Sequence, residues 1–226
     1  QLIYVNCQRW EGNVYHLLRQ KAKLEANAQF ITLTVNLGSQ KSRSEIQTEL
    51  VGSGATALIF GLTIGNGTQS FEQHTLQDHK APHTTSDLLF KTALLDSAYA
   101  VYSGLIKVEK LAQRTDAYQA NRNLLLSNKA KADTLPKLEI LANDVRCTHG
   151  ATVGPIDPEH FFYLASRGIE DKDAQKLLIE GFFDEVLGRI SVKKNDGSAS
   201  GGKEDGFKEK IKQFLEQKIL STSRQE

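Results

Sequence analysis

The sequence predicts a mainly β chain that ends in a small helical domain. Three observations carry this. Short runs of alternating apolar and polar residues, broken by polar or glycine-containing turns, recur from Leu24 to Val145. Helical spacing of apolar residues begins only after Gly154. Hydrophobic residues make up 39% of the 226 residues, yet no stretch approaches the roughly 18 consecutive apolar residues of a spanning helix, so the apolar content is available for a buried core.

The β part reads from its start as follows. "FITLTV" sets Ile31, Leu33 and Val35 on one face and Thr32 and Thr34 on the other, the pattern of a half-buried strand. "TALIFGLTIG" is more continuously apolar. "SFEQHTL" alternates again, and "YSGLIKVEK" brings Ile106 and Val108 to one side. "NLLLS" and "KLEILANDV" complete the series, with breaks at Gly52–Gly54 and Gly65–Gly67. Many short strands without long helices between them predict a sandwich, a barrel or a β-helix. No strict short repeat chooses among these.

Helix signals follow. Asp157 caps a first helix with Pro158 at its first position and Glu159 in its first turn, and Gly168 ends it. A second helix from about Asp171 carries Ala174, Leu177, Leu178, Phe182, Val186, Leu187 and Ile190 at helical spacing. "SVKKNDGSASGGKEDG" predicts a flexible loop over residues 193–205. A last helix from about Gly206 aligns Phe207, Ile211, Phe214, Leu215 and Ile219. The expected domains are 1–154 and 155–226.

Charge and cysteine content exclude some functions. A formal net charge of +1 gives no strong field to steer the chain to nucleic acid or an anionic membrane. Two cysteines, Cys7 and Cys147, make no disulfide framework and suit two free thiols in a reducing compartment, a cytoplasm or a plastid stroma. The chain has no methionine and opens on "QLIYVNCQRW", which points to a chain lacking its N-terminal part.

Three motifs bear on chemistry. "GSASGGKE", Gly197 to Glu204, fits the first part of a phosphate-binding loop, but Glu204 stands where Ser or Thr would hold magnesium, and the preceding "VKKND" is polar rather than a buried strand. No nucleotide binding by this chain is expected. "HTLQDHKAPH" holds His74, His79 and His83 at a spacing that matches no metal pattern, so packed or surface histidines are expected there. "RCTHGATVG" places Cys147 and His149 at alternate positions, on one face of an extended strand. Asp144 is expected to face away from both. Thiolate and imidazole are ligands for iron–sulfur centres, but two ligands need a second chain to complete a site. From these residues alone a structural strand end is the favoured reading, with a half-site as the alternative.

Longer stretches resemble a known family. "LPKLEILANDVRCTHGATVGPIDPEHFFYLASRGIEDKDAQKLL" (135–178) and "YSGLIKVEKLAQRTDAYQANRNLLLS" (102–127) are similar to the SufB/SufD family, scaffold subunits of the Suf iron–sulfur cluster assembly complex. "HKAPHTTSDLLFKTALLD" (79–96) fits more loosely. Within the family, "CTHGATVG" resembles the SufD branch, where the SufB branch carries an E-H-E-A-T-like run. The resemblance implies a right-handed parallel β-helix core and a small C-terminal α-helical domain. It implies pairing with SufB through edge strands at the C-terminal end of the β-helix, and docking of the SufC ATPase on Asp157 to about Ile190. It further implies that His149 helps hold a nascent, transient iron–sulfur cluster opposite a SufB cysteine, with Cys147 as the neighbouring family cysteine. ATP-driven closure of SufC would strain that interface and expose its ligands. The expected role is a non-enzymatic scaffold. The alternatives are a SufB-type paralogue, a structural partner without metal contact, and a carbohydrate-acting enzyme on a β-helix. The last is disfavoured by sparse acidic residues on the strand runs from Ile31 to Leu126.

Overall fold

The structure, a computed structural model, describes residues 1–190 and 204–222. Strands β1 (Leu2–Gln8), β2 (Tyr15–Leu24), β3 (Gln29–Asn36), β4 (Lys41–Leu50), β5 (Thr56–Gly65) and β6 (Ser70–His79) open the chain. They continue as β7 (Thr85–Leu94), β8 (Tyr99–Val108), β9 (Asp116–Leu125), β10 (Lys131–Ile140) and β11 (Arg146–Pro155). Odd strands form one sheet in the order β1-β3-β5-β7-β9-β11, and even strands form the other, β10-β8-β6-β4-β2. Paired strands run parallel, as in β3 with β5 and β6 with β8. Consecutive strands therefore alternate between two sheets and wind a parallel β-solenoid of about five turns.

One turn of the solenoid returns the chain to the same column, and the turns differ in length. Asn36 and Thr63, hydrogen-bonded across one turn, are 27 apart in the sequence, whereas Thr84 and Thr115, bonded across a later one, are 31 apart. That long, uneven period is why no short repeat shows in the sequence. The corners are tight. Asn27, Ser39, His83, Asp96 and Arg114 adopt left-handed φ of 50–71°. Successive corners are stitched by backbone bonds, Asn27 N–H to the Ser53 carbonyl at 2.9 Å and His83 N–H to the Gln113 carbonyl at 2.9 Å. Sequence patterning does not single out β1, β2 and β4. In β4, "KSRSEIQTEL", the alternation is largely polar on both faces, whereas β1, "LIYVNCQ", is apolar on both, so period two stands out weakly in each.

The interior holds an apolar cluster of Leu24, Phe30, Ile46, Leu50, Ile59, Leu88, Phe90 and Tyr102. It also holds polar columns. Gln73 Nε2 donates to Thr63 Oγ1 at 2.6 Å, and Gln77 Nε2 to Ser86 Oγ at 2.7 Å. "FITLTV" departs from its expected half-burial. Thr32 faces inward, where it meets the Gln20 amide at 3.0 Å, while Ile31, Leu33 and Val35 on the opposite face are buried as well. The outer face of the even-numbered sheet carries more acid than the strand runs suggest. Glu45, Glu49 and Glu72 are each ion-paired, to Arg43 at 3.0 Å, Lys21 at 2.7 Å and Arg43 at 3.3 Å, so they are not a free carboxylate pair.

The chain divides into two compact units, Gln1–Gly154 and Pro155–Glu226. In the second, α1 spans Pro158–Ser166, α2 Asp171–Arg189 and α3 Glu204–Thr222. Asp157 Oδ1 accepts the Glu159 N–H at 2.9 Å, and Gly168, with φ 78°, supplies the left-handed residue that closes α1. On α2 the buried stripe is Ala174, Ile179, Phe183, Val186 and Leu187. Leu177 is exposed, and Leu178 and Phe182 yield their expected places to Ile179 and Phe183. "LLIEGFF" offers two adjacent apolar stripes, and packing selects between them. On α3, Ile211, Leu215 and Ile219 are buried as spaced. The loop expected over 193–205 and the Gly197–Glu204 run lie outside the described residues except where Glu204 opens α3. No helix among the described residues is long and apolar enough to cross a membrane.

Candidate functional site

β11 is the last strand of its sheet, as β10 is of the other, so among the described residues both have an edge without a strand partner at the same end of the solenoid. The last corner sets β11 in place. The Arg114 N–H donates to the Asp144 carbonyl at 2.6 Å, and the Arg146 N–H to the Thr115 carbonyl at 2.9 Å. The same bond in the preceding turn, Asp116 N–H to the Thr84 carbonyl, accompanies pairing of Asp116 with Thr85. By that register Arg146 lies beside Asp116, Cys147 beside Ala117 and His149 beside Gln119. Ala117, Gln119 and Asn121 form the buried inner row of β9. Cys147 and His149 therefore share the inner face of β11, and the alternation of a strand makes them its neighbours at i and i+2.

Their surroundings differ. Cys147 is half-buried and packs against Ile106, Val108, Ala112, Ala117 and Ala142. Burial and the Asp116 carboxylate raise its thiol above the ordinary value, while a backbone group of Ala117 works the other way. A thiol held protonated at neutral pH is a poor nucleophile. It becomes a ligand when a metal displaces its proton. His149 is exposed, because no further turn among the described residues covers the inner face here. Asp144 sits in the corner, largely exposed, with its carboxylate 3.5 Å from Arg114. Among the described residues no group of three His, Cys, Asp or Glu gathers as a complete metal site. Cys147 and His149 offer one sulfur and one nitrogen at a strand edge, half of a tetrahedral set.

The inner row of β10 is equally uncovered. Leu138 and Ile140 stack in register on the fully buried Ile106 and Val108 yet are themselves 38% and 37% exposed. Val153 on β11 is exposed too. Sequence patterning does not single out these apolar residues at the open end. "KLEIL" reads as an ordinary strand until its place on the last turn is known.

The histidines of "HTLQDHKAPH" diverge. His74 and His79 are separated by an odd step on β6 and so face opposite sides. His74 points outward, 2.7 Å from Glu72. His79 is fully buried inside the solenoid, between the Thr84 hydroxyl at 2.7 Å and the Ser86 hydroxyl at 2.8 Å. His83 occupies a left-handed corner. Burial pushes the His79 pKa down from 6.5 to about 4. Between those values the unfolded chain takes up a proton that the folded chain refuses, so stability falls as pH drops through this window. The expected loss from pH 7 to pH 5 is about 2 kcal/mol from this group, by the linkage relation. Denaturant unfolding at the two pH values should show it, and His79→Gln should remove that part of the pH dependence.

Known proteins match this chain. The family described as SUF system FeS cluster assembly, SufBD core domain, matches residues 1–182. An iron–sulfur cluster assembly SufBD family protein of Synechocystis is 35% identical over 192 residues, covering 85% of this chain and 42% of that protein. The iron–sulfur cluster assembly protein SufD of Escherichia coli is 38% identical over 172 residues, covering 76% and 41%. The SufB protein of Bacillus subtilis is 28% identical over 181 residues, covering 80% and 39%. The chain thus spans less than half the length of these relatives. The chain belongs to the SufB/SufD family of the SUF iron–sulfur cluster assembly system.

Proposed function

We propose that this chain is a SufD-type scaffold subunit that completes an iron–sulfur assembly site together with a SufB-type partner. One observation carries the reading: an edge strand presents Cys147 and His149 on one face, beside exposed Leu138, Ile140 and Val153, at the open end of a solenoid. Edge strands with free backbone groups and apolar flanks are surfaces made for strand addition. A partner's matching edge would cover the apolar residues, extend the ladder and bring the missing ligands. His149, exposed and on the inner face, is assigned as a ligand to the nascent cluster, which is cargo rather than a resident cofactor. Cys147 is a second, more buried donor that yields its proton only to metal.

The helical unit has its own candidate surface. Phe162 and Tyr163 on α1 and Leu177 on α2 are exposed, a pattern suited to docking the SufC-type ATPase. Closure of that ATPase would strain the strand-edge interface and admit iron and sulfur. The chain itself is assigned no bond-making step and no nucleotide.

Anaerobic reconstitution of the full-length chain with its SufB-type and SufC-type partners tests this, with ferrous iron and sulfide as probes. His149→Ala should leave the complex assembled and lower bound iron and visible absorbance several-fold, in line with loss of a first ligand. Unchanged iron and absorbance would make the chain a structural partner that leaves coordination to SufB.

A further inference from the structure

We infer that Gln119 is the positioning residue for His149. The inference rests on the reading of His149 as a ligand and deepens it. Gln119 precedes His149 by one turn of the solenoid and sits beside it in the same inner column, above Leu88 and Ile59. Adjacent strands lie about 4.8 Å apart, so side chains on one column are within mutual reach. The Gln119 side chain is fully buried, yet neither its Oε1 nor its Nε2 has a hydrogen-bond partner among the described residues. A buried amide with both ends unpaired is rare in a folded protein and points to a missing partner.

The surrounding sequence keeps room for that amide. Gly104 lies on the facing sheet, and a Cβ there would meet the Tyr102 hydroxyl and come within 2.5 Å of Gln119 Oε1 and 2.6 Å of Nε2. A glycine there leaves room for the full-length Gln119 side chain beside the Tyr102 hydroxyl. A histidine that binds metal through one ring nitrogen commonly donates the N–H of the other to a carbonyl or carboxylate, which fixes the tautomer and the ring plane. Gln119 Oε1 is an acceptor of that kind at the neighbouring register position. With the ring turned over the inner face, the His149 N–H donates to Gln119 Oε1 and the other nitrogen is held outward for iron. Buried and one turn away from the ligand, Gln119 touches no cargo and acts through His149 alone.

The test uses the full-length chain in complex with its SufB-type and SufC-type partners, with ferrous iron and sulfide as probes. Gln119→Met keeps the side-chain length and removes both hydrogen-bonding ends. Gln119→Glu retains an acceptor oxygen. Each is measured with His149 present and in the His149→Ala background. The expected result is a loss of apparent iron affinity for Gln119→Met of up to about tenfold when His149 is present, no larger than that of His149→Ala itself. No further loss is expected when His149 is absent, and affinity should recover in Gln119→Glu. A merely structural glutamine would cost the same in both backgrounds. An equal loss in both backgrounds, or no loss while His149→Ala itself lowers iron, overturns the inference and leaves the ligand reading standing. Full iron retention in His149→Ala overturns both. Should Gln119→Met not assemble, Gln119→Asn, which withdraws the amide by one methylene, carries the same comparison.

Discussion

Leu138→Asp combined with Ile140→Asp is expected to abolish co-purification with the proposed SufB-type partner while the chain itself remains folded. Both side chains lie on the inner row of the last turn, over Ile106 and Val108, and both are already more than a third exposed. Their cost to the isolated solenoid is therefore modest, about 2 kcal/mol or less. A covering partner turn would complete their burial, a gain on the order of 1 kcal/mol for each. Carboxylates trapped beneath that turn would instead cost several kcal/mol. Affinity falls tenfold for about every 1.4 kcal/mol, so a loss of roughly a hundredfold or more is expected. Leu17→Asp is the control, since Leu17 is 78% exposed on β2, at the far end of its sheet. Co-purification, sedimentation and a melting curve for the three chains decide the matter. A double variant that still assembles would show that the open end is not the interface.

Tyr102→Ala has the largest expected effect on stability, about 4 kcal/mol. Tyr102 is among the largest fully buried side chains. Its ring lies 5.6 Å from that of Phe90 at an angle of 44°, and its hydroxyl is 2.8 Å from Thr75 Oγ1. Burial raises its pKa far beyond the ordinary range, so the phenol stays neutral at every working pH. Truncation opens a cavity bordered by Phe90 and leaves the buried Thr75 hydroxyl without that partner. Tyr102→Phe isolates the second cost, about 1–2 kcal/mol for the orphaned hydroxyl. Denaturant unfolding of the two variants should differ by about 2–3 kcal/mol. Equal losses would mean that the hydrogen bond, and not packing around Phe90, dominates at this column.

The same column logic separates what is legible in the sequence from what is hidden there. Cys147 and His149 stand at alternate positions in an extended run, and their shared face follows from the alternation of any strand. Asp157, Pro158 and Gly168 are a complete local signature, and α1 begins and ends where they place it. Gln119 is different. Its tie to His149 runs through a whole turn of the solenoid, and the length of a turn varies along the chain, so no fixed offset flags it. Leu138 and Ile140 are likewise ordinary strand residues until the strand is known to be the last one. The family resemblance supplies the β-helix that periodicity leaves open.

The sequence alone determined the class of most segments: strands by short alternating or apolar runs between Leu24 and Val145, though not β1, β2 or β4, helices by caps and stripes after Gly154, and the common face of Cys147 and His149. These depend on dihedral preference and side-chain direction, which act over a few neighbouring positions. Tertiary structure alone decided that each strand pairs in parallel with the one a full solenoid turn away, and that Thr32 faces in while Ile31, Leu33 and Val35 face out. It also selected Ile179 and Phe183 over Leu178 and Phe182 and, among the described residues, left β10 and β11 with open edges. Such choices turn on which distant neighbour a face meets, and the free energy that settles them belongs to the packed column rather than to any one residue in it.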